Sequence, residues 1–321
     1  MEGCKIACVE YFLPEKIISN EYLHEVCGID ADFLANKIGI KKRHIAAKNE
    51  SVSDMAVKAG ELLFQKNNIK REDIDLLLVC TQHPDYKLPT TACIVQDSLK
   101  LSVSCAAFDI NLGCSGFVYS LGIAGNFIKT NQMKNALIIM ADAYSKSIDY
   151  MDKNTASLFG DAAAAILLTS ADKNSGIQDI VYGTDGSNFD KLIIYNSGTI
   201  KDAEKSDYIY MNGREIFKFS TKVVPASIDE LLKKKQLKKS DIKYFIFHQA
   251  NQYMLSEIKK RMELSDEQTV IDMEDYGNTV SSTIPIVYKN LLANKKLNTG
   301  DKIVFCGFGV GLSWASCLYI V

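Results

Sequence analysis

Short apolar runs rich in β-branched and aromatic residues recur along the chain. Each is four to eight residues long and continuous, which is typical of strands buried on both faces of a sheet. From Ser51 to Asn67 the apolar residues instead lie three and four positions apart, and Ser51 with Asp54 forms a capping-box pattern, so a helix is predicted there. This alternation predicts an α/β protein in which helices cover sheets. The predicted strands are Leu76–Cys80, Ala106–Ile110, Ala136–Ala141, Ala163–Leu168, Tyr244–Phe247, Lys302–Cys306 and Trp314–Val321.

An internal repeat divides the chain into two comparable parts. Residues 69–80 and 237–248 share a charged turn followed by an apolar strand, at an offset of 168 residues. The offset is about half the chain, so two related halves are expected, although two unrelated helix–turn–strand units could also look alike. We assign residues 1–175 to the first half and residues 176–321 to the second. The polar segment 183–211 predicts a looped link between them.

Charge and composition narrow the classes of function. The 321 residues include 37 basic and 39 acidic ones, so neither nucleic acid nor an anionic membrane is expected as the main partner. Apolar residues make up 47% of the chain, which excludes disorder as the main state. No apolar run reaches the ~20 residues of a membrane span, and the first ten residues lack a signal-peptide pattern, so no membrane insertion is expected. Nine cysteines without a C-x-x-C pair predict reduced thiols in a cytoplasmic protein and no metal site.

One cysteine has surroundings that favour chemistry. Cys114 follows an apolar run that ends near Asn111, lies in a turn beside Gly113, and precedes a helix rich in small residues that is predicted from about Ser115. A thiol at a helix start experiences the positive end of the helix dipole, which favours the thiolate. From the residues alone, a catalytic nucleophile and a small buried residue in a turn are about equally good interpretations.

Three other segments bear on the same chemistry. His248 ends an apolar strand at a junction like that of Cys114, and Asn278 follows Gly277 in a stretch of hydroxyl residues that suits a helix start. Taken alone, each is more simply a structural residue. Residues 307–314, GFGVGLSW, predict a glycine-rich hairpin without the Lys-Ser/Thr of a phosphate loop. These glycines suit a close approach of backbone N–H groups to a reacting carbonyl.

Together these motifs resemble one family. The stretches DINLGCSGF, HQAN, GNT and GFGVGLSW match the 3-oxoacyl-[acyl-carrier-protein] synthase III family of the thiolase superfamily in order and spacing. Further matches are LPEKIISN, GIKKRHIA, FGDAAAA and MNGREIFKF, so the likeness runs from about residue 5 to the C-terminus. The resemblance implies a thiolase-like duplicated α-β-α-β-α fold of five layers and a homodimer. The nucleophile would belong to the first half, and the histidine and asparagine to the second.

The resemblance also gives each candidate residue a role. Cys114 would attack an acyl thioester of coenzyme A or an acyl-carrier protein and hold the acyl group covalently. Backbone N–H groups of Cys114 and of the glycine loop near Val310 would bind the oxyanion. His248 and Asn278 would donate hydrogen bonds to the thioester carbonyl of malonyl-acyl-carrier protein and stabilise the enolate that remains after loss of carbon dioxide. The enolate carbon would then attack acyl-Cys114, with no metal or redox cofactor.

The implied substrate contacts include several departures from the family pattern. Phe33 stands where many members have a tryptophan against the adenine of coenzyme A, and Lys37 and Lys153 stand where two arginines commonly meet its phosphates. A lysine supplies charge without the bidentate fork of arginine. Leu88 matches a residue, often phenylalanine, that reaches into the acyl pocket of the partner subunit, and Tyr253 occupies a commonly basic position. The other implied substrate contacts are Phe159, Met211, Gly213, Phe217, Ala250, Asn251, Phe308 and Val310, and the implied carrier-protein docking residues are Lys218, Lys260 and Arg261.

Two hypotheses of function follow. The first is decarboxylative condensation of an acyl primer with malonyl-acyl-carrier protein, as in the initiation of fatty-acid biosynthesis. The second is transfer of the acyl group, without decarboxylation, to an oxygen, nitrogen or sulfur acceptor in secondary metabolism or glycan modification. The retained pair of His248 and Asn278 favours the first, and the altered nucleotide contacts keep the second open. An inactive scaffold is a third hypothesis, which the intact Cys–His–Asn set disfavours.

Overall fold

A computed structural model describes residues 3–321. The strands are β1 (Gly3–Phe12), β2 (Lys16–Ser19), β3 (Lys42–Ile45), β4 (Leu76–Cys80), β5 (Ala106–Ile110), β6 (Asn135–Asp142), β7 (Ala162–Ala171), β8 (Gly176–Thr184), β9 (Leu192–Ile193), β10 (Tyr210–Met211), β11 (Tyr244–Phe247), β12 (Lys302–Gly309) and β13 (Ser313–Ile320). The helices are α1 (Asn20–Cys27), α2 (Ala31–Phe33), α3 (Val52–Asn67), α4 (Thr91–Ser98), α5 (Gly116–Lys129), α6 (Lys153–Ala156), α7 (Gly213–Lys234), α8 (Gln252–Arg261) and α9 (Thr283–Ala293). All seven apolar runs predicted as strands form strands, and the predicted helix is α3, with its capping box formed by Ser51 and Asp54.

The main sheet joins strands from both parts of the chain. Its order is β11-β12-β13-β8-β1-β7-β6-β4-β5, so the four strands on one side come from residues 176–320 and the five on the other from residues 3–171. The two sets meet where β1 and β8 run parallel, at Cys4 and Gly176. A Cβ atom on Gly176 would lie 2.0 Å from the carbonyl oxygen of Cys4, so this junction requires a glycine.

The two repeat segments adopt the same local structure. Short 3₁₀ turns at Arg71–Asp73 and Lys239–Asp241, separated by the repeat offset, lead into β4 and β11 respectively. β4 pairs in parallel with β5, and the corresponding neighbour of β11 is reduced to a single parallel bridge between Phe245 and Thr269. A division of the chain into halves at residues 175 and 176, between β7 and β8, stays a prediction.

Three apolar cores separate five layers. Alternate residues of β4 face opposite ways: Leu77 and Val79 pack with α3 and α4, whereas Leu76, Leu78 and Cys80 pack with the central helices α5 and α9. β11 repeats this division, since Phe245 and Phe247 pack against α7 and α8 and Ile246 faces the central helices. This alternation follows from the two-residue period of a strand. The two sets of strands, joined at the β1–β8 pairing, lie on opposite sides of the central helices and form two sheet layers. The order is therefore helices, sheet, central helices, sheet, helices, as the resemblance implied.

The link at residues 183–211 is more ordered than predicted. Its first two residues complete β8, a 3₁₀ segment covers Gly186–Lys191, and β9 pairs with β10, which joins Leu192 to Met211. Within residues 3–321, none of the helices combines the length and apolar character needed to cross a membrane. The nine cysteines are free thiols.

Candidate active site

Cys114 lies between the end of β5 and the start of α5. The N–H of Gly116 donates to the carbonyl of Gly113 at 2.8 Å, which closes the turn around the cysteine. The hydroxyl groups of Ser115 and Ser313 lie 2.7 Å apart and tie the helix start to β13. Cys114 is only 5% exposed. The predicted strand–turn–helix setting is therefore confirmed, with the cysteine held inside the protein.

Three glycines allow the backbone to approach this thiol closely. A Cβ atom on Gly113 would lie 2.4 Å from Gln82 Oε1. A Cβ atom on Gly307 would lie 2.6 Å from the carbonyl oxygen of Cys114, and one on Gly309 would lie 3.0 Å from its Sγ. β12 therefore passes directly against the nucleophile, and it can do so only because it carries Gly307 and Gly309 at the points of contact.

Burial sets the resting state of the thiol. Loss of hydration raises the pKa of Cys114 to about 12, the negative charge of Asp142 adds to this rise, and the N–H groups of Cys114 and Val310 oppose it. This differs from the prediction that the helix start favours a thiolate, because desolvation outweighs the local dipole. The thiol is protonated at neutral pH and must lose its proton as it reacts.

His248 is a neutral imidazole with a defined tautomer. Its backbone N–H donates to the carbonyl of Cys306 at 2.8 Å, and its Nδ1 lies 2.8 Å from Thr283 Oγ1. The Thr283 hydroxyl donates its own proton to the carbonyl of Val280 at 3.0 Å, so Nδ1 must carry the ring proton and Nε2 has a free lone pair. Burial lowers the pKa of His248 to about 3, which keeps the ring uncharged.

Asn278 is oriented by the backbone around it. Its N–H donates to the carbonyl of Leu158 at 2.9 Å, and its Oδ1 accepts from the N–H of Val280 at 3.0 Å. Within residues 3–321 its amide nitrogen has no acceptor, so it remains available as a donor. Val280 has a φ of 55°, which is uncommon for a β-branched residue. In this conformation Val280 bonds Asn278 through its N–H and the His248 partner Thr283 through its carbonyl.

The three catalytic candidates line one narrow cavity of about 70 Å³. Phe308 also lines it, with its ring edge-to-face to that of His248 and 5.6 Å between centroids. Six predicted substrate contacts share this cavity: Phe159, Met211, Gly213, Ala250, Asn251 and Phe308. The remaining lining residues, none of which was predicted as a substrate contact, are Leu158, Leu192, Ile216, Ser220, Met254 and Gly309.

The predicted nucleotide contacts lie on the surface. Phe33 is 39% exposed, and the ammonium group of Lys37 lies 4.5 Å from the ring centroid of Tyr253. The ring of Phe217 stacks on the same Tyr253 ring, with 5.4 Å between the ring centroids and 19° between the ring planes. Lys153 donates to a backbone carbonyl at 3.0 Å. Both lysines are thus engaged within the chain, and their contact with coenzyme A stays a prediction.

The predicted docking residues lie on two neighbouring helices. Lys218 of α7 forms an ion pair with Glu215 at 2.7 Å, and Arg261 at the end of α8 forms one with Glu257 at 2.7 Å. Arg261 also donates to a backbone carbonyl of α7 at 3.1 Å, which links the two helices. Lys260 is exposed. The ion pairs lower the net positive charge of this face, and its contact with a carrier protein stays a prediction.

Like the predicted nucleotide contacts, two further predicted substrate contacts lie outside the cavity that contains His248. Val310 follows β12, directs its N–H to the sulfur of Cys114 and lines a second cavity. Leu88 is 84% exposed, on the segment between β4 and α4. Its reach into a partner subunit stays a prediction.

Sequence reasoning missed the buried acid beside the nucleophile. Asp142 ends β6 and is fully buried. Its carboxylate accepts from the backbone N–H of Gln82 at 2.8 Å and from the hydroxyl of Ser281 at 3.0 Å. The available signal was an aspartate at the end of an apolar run. Only the fold brings its charge close to Cys114.

A buried thiol, a neutral imidazole and a carboxamide donor in a five-layer duplicated fold define an acyl-transferring enzyme of the thiolase type. Sequence profiles narrow this class. The profile described as 3-oxoacyl-[acyl-carrier-protein (ACP)] synthase III matches residues 108–186, and the profile for the C-terminal part of the same proteins matches residues 232–320.

Individual proteins extend the similarity to the whole chain. The beta-ketoacyl-[acyl-carrier-protein] synthase III of Clostridium perfringens strain SM101 is 39% identical, with 99% of each chain covered. A 2.1 Å crystal structure of a 3-oxoacyl-(acyl-carrier-protein) synthase III superposes with a TM-score of 0.94 at 35% identity, covering 99% of this chain and 100% of that one. The corresponding Aquifex aeolicus VF5 structure gives 0.92 at 33% identity, covering 99% and 100%. The chain belongs to the 3-oxoacyl-[acyl-carrier-protein] synthase III family.

Proposed function

We propose that this enzyme condenses an acyl thioester primer with malonyl-acyl-carrier protein through an acyl-cysteine, releasing carbon dioxide and forming 3-oxoacyl-acyl-carrier protein. The observation that carries the proposal is the single cavity lined by Cys114, His248 and Asn278. The names of the full-length relatives support the same reaction. Heteroatom acyl transfer is not favoured, because that reaction forms no enolate for a second donor to stabilise.

In the first half-reaction, Cys114 attacks the primer thioester. Its sulfur loses a proton to the free lone pair of His248 Nε2 as the new C–S bond forms, since a resting thiolate is disfavoured by burial. The N–H groups of Cys114 and Val310, which already point at this sulfur, stabilise the oxyanion. Collapse of the intermediate expels the donor thiolate, and the proton on His248 passes to it. Cys114 is left acylated and His248 neutral.

In the second half-reaction, malonyl thioester replaces the departed thiol. Its carboxylate leaves as carbon dioxide and its electron pair becomes an enolate. The amide nitrogen of Asn278 and a proton taken up on His248 Nε2 hydrogen-bond the enolate oxygen. The enolate carbon then attacks acyl-Cys114, and the expelled sulfur takes the proton from His248. The reaction therefore consumes one proton overall, and His248 is the group through which it enters.

The substrate entrance, the docking face and the assembly of the enzyme form part of the same proposal. Coenzyme A or phosphopantetheine thioesters would enter past Phe33 and Lys37, and the carrier protein would dock on the face that contains Lys218, Lys260 and Arg261. We infer a cytoplasmic homodimer that needs no cofactor, and two thiolase-like halves that meet between residues 175 and 176. The reduced thiols and the similarity to full-length family members support these assignments.

The test separates acylation from decarboxylation. Intact-mass analysis should find one acyl group per wild-type chain, on the peptide that contains Cys114, and Cys105→Ala serves as a matched cysteine control. Cys114→Ala should lose acylation yet still release carbon dioxide from malonyl-acyl-carrier protein. Asn278→Ala should still be acylated but should release carbon dioxide about 10²–10³ times more slowly, the usual effect of losing one oxyanion donor.

The opposite pattern would redirect the assignment. If the wild-type chain is acylated readily but never decarboxylates malonyl-acyl-carrier protein or malonyl-coenzyme A, condensation is excluded and heteroatom transfer becomes the leading hypothesis. An acyl label on Cys105 in place of Cys114 would refute the choice of nucleophile.

A further inference from the structure

A second cavity adjoins the nucleophile from the side of Val310. Its volume is about 280 Å³, and it shares Leu192 with the cavity that contains His248. Val310 lines it and lies against Gly113, the residue before the nucleophile, since a Cβ atom on Gly113 would come 2.8 Å from a Cγ atom of Val310. An acyl group on this sulfur can therefore extend into the second cavity. The volume lies below that of pockets for drug-sized ligands, which suits a short acyl group.

The wall of this second cavity nearest the nucleophile is polar. The side chain of Gln82 lies against Gly113, the residue before the nucleophile. Tyr144 donates its hydroxyl proton to Gln82 Oε1 at 2.7 Å. The ring of His83 packs on that of Tyr144 with 4.5 Å between centroids. Gln82, His83 and Tyr144 all line the cavity; we call them the polar wall.

The polar wall contains hydrogen-bonding groups that the protein does not satisfy. Among residues 3–321, the amide nitrogen of Gln82 and the Nδ1 of His83 have no hydrogen-bond partner. A saturated acyl chain that filled the cavity would strip water from the half-buried amide of Gln82 without replacing the lost hydrogen bond, which is costly. The rest of the lining is mainly apolar, with Phe189, Leu192, Ile193, Ile194, Ile209 and Val310, and it also includes Asn111, Ser197 and Gly311. A ligand with one polar group and an apolar body matches this division.

The negative charge of Asp142, next to the polar wall, restricts which polar group the ligand can carry. The carboxyl group of Asp142 is fully buried and lies 3.9 Å from the Nδ1 of His83. A carboxylate on the primer would be repelled by it, and within residues 3–321 no lysine or arginine lines the cavity to compensate. A hydroxyl is neutral, and it can both donate and accept, so it can pair with the amide of Gln82.

We propose that the second cavity selects a short primer acyl group that bears a hydroxyl, and that Gln82, held by Tyr144, is the residue that recognises it. This inference rests on the proposed function, because it requires the acyl group to be held on Cys114. It assigns the substrate class that the family resemblance left open.

The test compares primers that differ only in the hydroxyl. Rates of Cys114 acylation are measured by intact mass for butyryl and for each enantiomer of 3-hydroxybutyryl, loaded on coenzyme A and on carrier protein. The wild-type chain should favour one hydroxyl primer by about tenfold or more, because a hydroxyl supplies a hydrogen bond to an amide that a saturated acyl chain would leave unpaired. Gln82→Leu should abolish this ratio. Tyr144→Phe, which keeps the ring that packs on His83, should reduce it.

The ratio of the acylation rates for hydroxybutyryl and butyryl primers shows whether the polar wall recognises the hydroxyl or only supports the fold. If the polar wall only supports the fold, both variants will change the melting temperature or slow both primers equally, and the ratio will stay as in the wild type; that result overturns the proposal. Butyryl acylation as fast as hydroxybutyryl acylation in the wild type also overturns it, while leaving the proposed function intact. Failure of every primer to acylate Cys114 refutes the proposed function itself, and this inference with it.

Discussion

The contact between Gly309 and Cys114 makes a sharp prediction for Gly309→Ala. The added methyl carbon would lie 2.9 Å from Cys114 Cβ and 3.0 Å from its Sγ, both well inside ordinary van der Waals contact. Within residues 3–321, and apart from Gly309 and its chain neighbours, only the side chain of Cys114 lies within 4 Å of the added methyl carbon, so the substitution should displace the thiol from the N–H groups that point at it. The expected effect is therefore on positioning.

The expected loss of stability and the expected loss of acylation rate in Gly309→Ala differ enough to be measured separately. Overpacking of this kind costs about 1–3 kcal/mol, against a total stability of about 5–15 kcal/mol, so the variant should fold. A misplacement approaching 1 Å costs about 10²-fold in rate, so acylation of Cys114 should slow by about that factor. Single-turnover acylation followed by intact mass gives the rate, and thermal unfolding of the same sample gives the stability.

Two other glycines provide matched controls. Gly198→Ala adds a methyl group that has no atom of residues 3–321 within 4 Å beyond Gly198 and its two chain neighbours, so neither rate nor stability should change. Gly307→Ala would place Cβ 2.6 Å from the backbone oxygen of Cys114, which cannot swing away, so it should lose more stability than Gly309→Ala. Folded Gly309→Ala protein that acylates as fast as the wild type would refute the idea that this glycine positions the thiol.

Two further predictions concern the acyl pocket and pH. Leu88→Phe should shift the preferred primer toward shorter acyl groups, because a bulkier side chain would enter the partner's cavity; Val103→Phe, at a fully exposed position, is the control. An unaltered chain-length profile for Leu88→Phe would count against that reach. Burial lowers the pKa of His248 from 6.5 to about 3, so the unfolded chain binds a proton below pH 6.5 that the folded chain does not. Stability should thus fall by about 2 kcal/mol between pH 6.5 and pH 5 on this account. Urea unfolding of His248→Gln should lack this component; an equal loss in the variant would contradict the assigned cause.

The strands could be predicted because their signal is local. The run Leu76–Cys80 is β4 residue for residue, since an uninterrupted apolar run is the signature of a strand between two helix layers. β12 was predicted to end at Cys306 and extends to Gly309. Glycines usually weaken a strand, but Gly307 and Gly309 are required here because this strand passes directly against Cys114. The residues in contact are almost 200 positions apart in the sequence. Sequence patterns do not contain that contact.

The site residues divide in the same way. Cys114 and His248 could be found because each lies just after an apolar strand, where side chains meet at one edge of a sheet. The state of the thiol could not, because the local helix start indicated a thiolate while burial and Asp142 act through the tertiary fold. Gln82 and Tyr144 lie 62 positions apart and carry no motif, so only their hydrogen bond reveals them.

The two repeat segments differ at the position where the second one carries the imidazole. His248 occupies the position of Cys80, whose thiol merely donates to the carbonyl of Leu112 at 3.1 Å. The short turn Val280–Ser282 precedes α9, and its first residue, with a φ of 55°, supplies the N–H and carbonyl that orient Asn278 and the partner of His248. All three groups are uncharged at rest inside a buried cavity. Negative charge therefore first develops there on the substrate, where preoriented donors in a low-dielectric setting stabilise it most.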